Sequence, residues 1–204
     1  MSSPTIAIVD YQAGNLRSVQ KALERFGASA VITSNPKTIE TAHGVVFPGQ
    51  GASDPSLCAL RDRGLVDPIR EYVESGRPFM GVCLGLQLLL DASDEGVEPG
   101  LGVVSGRVKH LPGGLKVPHM GWNEVRFRKE HPVLRGVADG THFYFVHSFF
   151  ADPTDDSVVA GTTTYGVEFC SVAAKDNWIA FQFHPEKSGE IGLKLYQNFV
   201  DLVG

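Results

Sequence analysis

The sequence predicts a three-layer α/β fold: a central mixed, mostly parallel sheet flanked by helices, with additional antiparallel strands in the second half. Three observations carry this. In the first half, short apolar runs alternate with amphipathic segments, the signature of parallel strands joined by helices. In the second half, strand-like runs follow one another with little helix between them. No Ser/Gly linker, repeat or low-complexity tract divides the chain, so residues 1–204 are expected to form one domain.

Taken in order, Thr5 to Val9 is a short apolar strand. Asn15 stands where a helix cap is expected, and Leu16, Val19, Leu23 and Phe26 then mark one helical face that ends at Gly27. Ala30 to Thr33 and Val45 to Phe47 read as strands. Pro55 to Arg63 and Leu65 to Glu74 read as helices, and Phe79 to Val82 as a strand. A helix is expected over the apolar run Leu86 to Leu90. Beyond it, Val103 to Leu111, Glu124 to Phe127, His142 to Val146, Val158 to Thr163, Val167 to Ala174 and Trp178 to Phe183 fit strands. Ser188 opens a last helix whose Ile191, Leu195, Phe199 and Leu202 share a stripe. In such a fold the site lies beyond the carboxyl ends of the central strands.

Composition narrows the function classes. With 204 residues, 43% hydrophobic and 20% charged, the chain is long enough for a sizeable core. Its net charge of −5 and lack of a basic run argue against nucleic acid as a partner. No apolar stretch reaches membrane-spanning length, so neither a membrane nor export is expected and the reading is cytoplasmic. Cys58, Cys83 and Cys170 are too few and too scattered for a disulfide framework. The seven histidines show no metal-ligand spacing, so no metal or other cofactor is expected.

The most informative run is Gly81-Val82-Cys83-Leu84-Gly85. It places a thiol at a strand–turn–helix corner, the cysteine counterpart of the nucleophile elbow, where flanking glycines permit a strained turn and close helix packing. A following helix would favour thiolate at its positive end. A hundred residues on stands Phe181-Gln182-Phe183-His184-Pro185-Glu186. Its alternation suggests a strand end, on which His184 and Glu186 leave by one face. A thiol needs a base, and the base a carboxylate to orient it; Cys83, His184 and Glu186 supply the three. The third piece is Val45-Val46-Phe47-Pro48-Gly49-Gln50-Gly51, an apolar strand ending in a loop able to aim backbone N–H groups at an oxyanion, together with the N–H of Leu84. A dinucleotide fingerprint is excluded, because Gly49-Gln50-Gly51 lacks the third glycine.

Together these elements resemble the class I glutamine amidotransferases, over nearly the whole chain. Within them the chain looks most like the glutaminase subunits of imidazole glycerol phosphate synthases. The signs are Asp10-Tyr11 through Gly14-Asn15-Leu16, Pro48 to Ala52, Arg61 to Leu65, Gly81 to Gln87, His119-Met120-Gly121-Trp122-Asn123, Tyr144-Phe145-Val146-His147-Ser148 and His184-Pro185-Glu186-Lys187-Ser188. Two departures stand out: Gln50 is larger than the small apolar residue typical of that loop, and Phe149 replaces a common tyrosine.

The resemblance implies hydrolysis of L-glutamine through a cysteinyl thioester. Gly49, Gln50, Gly51 and Leu84 would give the oxyanion site, and Gln87, Glu95, His147, Ser148 and Phe149 the substrate-binding wall. It also implies a heterodimer with a (β/α)8-barrel cyclase subunit. That partner uses the ammonia to make imidazole glycerol phosphate and aminoimidazole carboxamide ribonucleotide in histidine biosynthesis. Asn15, Trp122 and Lys187 would face it. Trp122 is also readable as a core aromatic, Lys187 as a solvated charge, Asn15 as a plain cap and Glu95 as a solvated acid. The alternatives are a class I glutaminase of another pathway (pyridoxal phosphate, anthranilate or GMP synthesis), another Cys-His hydrolase such as a peptidase or γ-glutamyl hydrolase, or a binding protein that kept the fold.

Overall fold

The computed structural model describes residues 3–12 and 14–204. Strand β1 (Thr5–Val9) shows how the layers arise. Ile6 and Ile8 enter one core and Ala7 and Val9 the other, because successive side chains of a strand leave on opposite faces. Apolar residues on both faces require cover on both. Helices α2 (Pro36–Thr41), α3 (Ser53–Asp62) and α4 (Val66–Glu74) supply one side through Ile39, Leu57, Leu60, Ile69 and Tyr72. Helices α1 (Leu16–Glu24) and α6 (Gly189–Val203) supply the other through Val19, Leu23, Leu195 and Phe199.

The parallel half runs in the order β2 (Ser29–Thr33), β1, β3 (Gly44–Gly49), β4 (Phe79–Cys83), β12 (Trp178–Phe181). From β12 the pairing turns antiparallel through β11 (Glu168–Lys175), β10 (Val159–Thr164), β7 (His119–Phe127) and β8 (Thr141–His147). Strands β5 (Leu90–Ser93), β6 (Val104–His110) and β9 (Phe149–Pro153) branch off this path, with β9 touching β11. The mixed sheet between helical layers is the expected fold class. No helix of the described residues is long and apolar enough to cross a membrane.

Several local expectations need correction. The helix expected over Leu86 to Leu90 is a single turn, α5 (Leu84–Gln87), and Leu90 already belongs to β5, which pairs with β6. An all-apolar run carries no period that separates the two. A one-turn helix also supplies little dipole to the thiol, contrary to the expectation of a full helix there. Asn15 does not cap α1 with its side chain; it lies in the left-handed region at φ 66 and sends its amide elsewhere. Strand β7 begins at His119, five residues before the expected start, because His119 to Glu124 pair with β8. Helix α2, opened by the Asn35 side chain accepting from Lys37 N–H with Pro36 in the first turn, was not expected, nor was β9.

The elbow glycines are explained by close approach. A Cβ on Gly85 would stand 1.9 Å from the Phe47 carbonyl oxygen of β3, and one on Gly81 2.8 Å from Ala180 Cβ of β12. The first obstacle is backbone and cannot yield. Gly85→Ala is therefore expected to lower stability by about 3 kcal/mol, at the upper end of overpacking costs, read as a fall in the urea midpoint. An unchanged midpoint would mean that α5 does not sit against β3 as described.

Candidate active site

Cys83 ends β4 with φ 54 and ψ −109, a conformation costly for any residue with a Cβ. It is held there because β4 is paired on both sides, Gly49 opposite Cys83 on β3 and Phe181 opposite Val82 on β12. The thiol is 6% exposed and opens onto a cavity of about 360 Å³. The cavity is lined by Gln50, Gly51, Leu84, Gln87, Glu95, Pro118, Val146, His147, Ser148, Phe149, His184 and Lys187. Two wider surface grooves, one beside Asp10 and Ile32 and one beside His131 and Arg135, contain no thiol.

The sequence places His184 and Glu186 on a strand end; the structure places them on a turn. His184 is extended, but Pro185–Lys187 is one turn of 3-10 helix. That turn still brings His184 Nδ1 to 2.8 Å from Glu186 Oε1, with both side chains 4% exposed. Proline fixes the first step of the turn. Ser188 Oγ donates to the His184 carbonyl at 2.7 Å and accepts from Tyr144 N–H at 3.0 Å, while His184 N–H donates to the Tyr144 carbonyl at 2.9 Å. The turn is thereby clamped to β8.

Electrostatics follow from this packing. Burial alone would strip the charge from His184, yet the Cys83 sulfur and the Glu186 carboxylate outweigh it and carry the pKa up to about 10. Burial alone would likewise raise Glu186, but the hydrogen bond and charge of His184 hold it below the ordinary carboxylate value. His147 behaves oppositely. Burial, with His119 and His184 nearby, takes it down to about 3 against the pull of its bond to the Phe149 carbonyl, and burial takes His119 down to about 4. One charged imidazole thus stands among neutral ones.

The remaining expected site residues divide clearly. Gln50, Gly51 and Leu84 reach the cavity wall, and the Leu84 N–H, first in α5, has no intrahelical acceptor. Gly49 lies behind, inside β3, where Tyr11 Oη and Leu84 leave no room for a Cβ. Gln87, Glu95, His147, Ser148 and Phe149 all line the cavity. Glu95 is not a free acid on a loop: its Oε2 accepts from Ser53 N–H at 2.8 Å, tying it to the start of α3 just after the Gly49-Gln50-Gly51 loop. Asn15 Nδ2 donates to Glu186 Oε1 at 2.8 Å, so it braces the triad itself. Trp122 is 55% exposed, against the core reading, and packs edge-on to Tyr144 across β7 and β8. Lys187 is exposed at the cavity rim.

Sequence reasoning missed three contributors. Tyr11 Oη donates to the Pro48 carbonyl at 3.0 Å and fixes the peptide that leads into the loop. Tyr196, fully buried on α6, faces Glu186; burial first, then the carboxylate's charge, hold the phenol proton in place. Gln182, 0% exposed, lies against the sulfur. Only Tyr11 and Gln182 had a visible signal, each lying inside a motif run.

Comparisons with known proteins agree with this geometry. The family model for glutamine amidotransferase class-I matches residues 7–202. The chain is 50% identical over 199 residues to imidazole glycerol phosphate synthase subunit HisH of Moorella thermoacetica, covering 97% of this chain and 95% of that one. It is 48% identical over 195 residues to the HisH subunit of Dehalococcoides mccartyi strain CBDB1, covering 95% of each. Among solved structures it superposes on PurLQS from Thermotoga maritima with a TM-score of 0.79 at 20% identity, over 99% of this chain and 100% of that one, a likeness of fold. Matches of this extent settle the lineage: the chain belongs to the class-I glutamine amidotransferases.

Proposed function

We propose that this chain is the glutaminase subunit of an imidazole glycerol phosphate synthase, with residues 1–204 acting as one glutamine amidotransferase domain. The observation that carries the reading is the strained Cys83 opening onto the same cavity as the buried His184–Glu186 pair. The HisH relatives at 47–50% identity select this pathway over the other class I glutaminases.

The chemistry follows from the groups in place. Cys83 sulfur, its proton held by His184, attacks the side-chain carbonyl carbon of L-glutamine and forms the C–S bond. The Leu84 N–H, with N–H groups of the Gly49-Gln50-Gly51 loop, receives the oxyanion. His184 gives its proton to the leaving nitrogen, the C–N bond breaks, and ammonia departs from a cysteinyl thioester. Water then loses a proton to His184 and adds to the thioester. The C–S bond breaks, glutamate leaves and the thiolate is regenerated. Gln87 and Glu95 address the amino-acid end of glutamine, along the wall of His147, Ser148 and Phe149. Glu186 keeps the imidazolium oriented, as a triad carboxylate does.

Released into water, the ammonia would be protonated and lost, so a partner must take it. The partner is the cyclase subunit, which uses it to make imidazole glycerol phosphate and the carboxamide ribonucleotide. The exposed Trp122 and Met120, 55% and 60% accessible on one face of β7, support a docking surface there, and the family resemblance adds Asn15 and Lys187. Large exposed apolar side chains of this kind anchor partners.

Three outcomes test this reading. Cys83→Ala and His184→Ala should each lower ammonia production by more than about 1,000-fold, since triad members act as a unit, while circular dichroism and cyclase binding are retained. A Cys83→Ala protein that keeps its glutaminase activity refutes the assignment.

The raised pKa of His184 sets the pH behaviour. An unfolded imidazole titrates near 6.5. Stabilisation from the charged ring is therefore fully present below about 6.5 and is lost as pH rises through about 10. In an NMR titration the His184 ring should stay imidazolium through pH 8, and Glu186→Gln should bring its titration down. A wild-type ring that turns neutral near 6.5 contradicts the ion pair.

Trp122→Ala should weaken cyclase binding about 30-fold, the scale of losing one hot-spot anchor, with the partner-free fold unchanged. Titration calorimetry with the cyclase subunit reads this directly, and unchanged affinity would move the interface elsewhere.

A further inference from the structure

Gln182 lies one residue beyond β12, and two side chains, Gln87 and Cys83, meet its amide. It is wholly buried, and its backbone N–H donates to the Ser171 carbonyl at 2.9 Å, which fixes the chain there. Gln87 Nε2 donates to Gln182 Oε1 at 3.1 Å and to the Phe149 carbonyl at 2.8 Å. Gln182 Nε2 lies 3.8 Å from Cys83 Sγ, within hydrogen-bond reach of sulfur.

The direction of this chain is not arbitrary. A backbone carbonyl can only accept, so the Phe149 oxygen requires the NH₂ end of Gln87. The second proton of that NH₂ needs an acceptor, so Gln182 turns Oε1 toward it. The NH₂ end of Gln182 is then left facing the sulfur. The same carbonyl accepts from His147 Nδ1 at 2.9 Å, which leaves His147 Nε2 as the acceptor for His119 Nδ1–H, also at 2.9 Å. One oxygen therefore orients two amides and two imidazoles.

Two consequences follow for the reaction. A donor aimed at the sulfur favours its anionic form, in the place where a one-turn helix supplies little field. With both Nε2 protons of Gln87 engaged, Oε1 is the end of that amide left for the cavity, where it can accept only from a donor such as the ammonium of an amino acid.

We propose that Gln182 is a further catalytic residue, whose amide donates to the Cys83 sulfur while its oxygen holds Gln87 in the orientation that receives the substrate. This rests on the glutaminase reading for its substrate half, and on the sulfur contact alone for its nucleophile half.

The test separates the two halves. Alkylation of Cys83 by iodoacetamide is followed against pH in the intact chain, with peptide mass spectrometry distinguishing Cys83 from the exposed Cys58. Glutamine kcat and KM are measured in the cyclase complex. Q182M removes donor and acceptor together. It should move the Cys83 alkylation profile up by about one pH unit, and raise KM for glutamine. Q182E keeps an acceptor for Gln87 but loses the donor and adds a carboxylate. It should move the alkylation profile at least as far while leaving KM within about twofold of wild type. A merely structural side chain would lower the melting temperature of both variants without moving the alkylation profile, and that result overturns the proposal. Folded Q182M with wild-type profile and KM does so as well. Should Q182M fail to fold, Q182E decides the nucleophile half alone. If wild type shows no glutamine turnover even with the cyclase, the glutaminase reading fails, yet the alkylation arm still reports on Gln182.

Discussion

The backbone of Cys83 is the constraint on which the site depends. A non-glycine residue at φ 54 and ψ −109 costs on the order of 1–3 kcal/mol and persists only where its surroundings over-determine it. Here the surroundings are strands β3 and β12, both locked in register with β4, and a one-turn helix seated on the Phe47 carbonyl through Gly85. The strain lifts the sulfur off the sheet and sets the Leu84 amide beside it.

Around that corner, polarity is distributed from few sources. Glu186 Oε1 accepts from both His184 and Asn15, so the carboxylate is braced from the triad side and from the β1–α1 connection at once. The Phe149 carbonyl orients Gln87 and His147. Buried amides and imidazoles are expensive unless each finds a partner, and a network anchored on main-chain oxygens cannot reverse its direction without leaving groups unpaired. Within this buried network the charge sits on the His184–Glu186 pair, while His119 and His147 stay neutral close by.

What could be read in the sequence was whatever is encoded locally. Gly81-Val82-Cys83-Leu84-Gly85 announces a turn because glycine alone permits such close approach of neighbouring strands and helix, and the unbroken apolar run of β1 announces two buried faces. His184 and Glu186 were legible as a pair, though not as a 3-10 turn, since Pro185 is compatible with either an extended or a turning chain. Contacts between distant segments left no such trace. Asn15 reads as a cap by residue type and position, but Glu186, 171 residues away, takes its side chain. Leu86 to Leu90 is apolar throughout, and only pairing with β6 decides that Leu90 is strand. Gln182 sits in a run that alternates correctly, and only coordinates show that its polar end meets sulfur.

The tryptophans of the chain differ sharply in setting. Trp178 is sealed in β12 at 5% exposure, whereas Trp122 stands open on β7. Indole emission shifts with the polarity around the ring, so the two contribute light of different colour: a blue component from the sheet interior and a red one from the water-facing ring. The red component has a single origin, next to the Tyr144 backbone that clamps the catalytic turn. The molecule thus carries its own optical gauge at the proposed docking face, with the buried Trp178 as an internal reference.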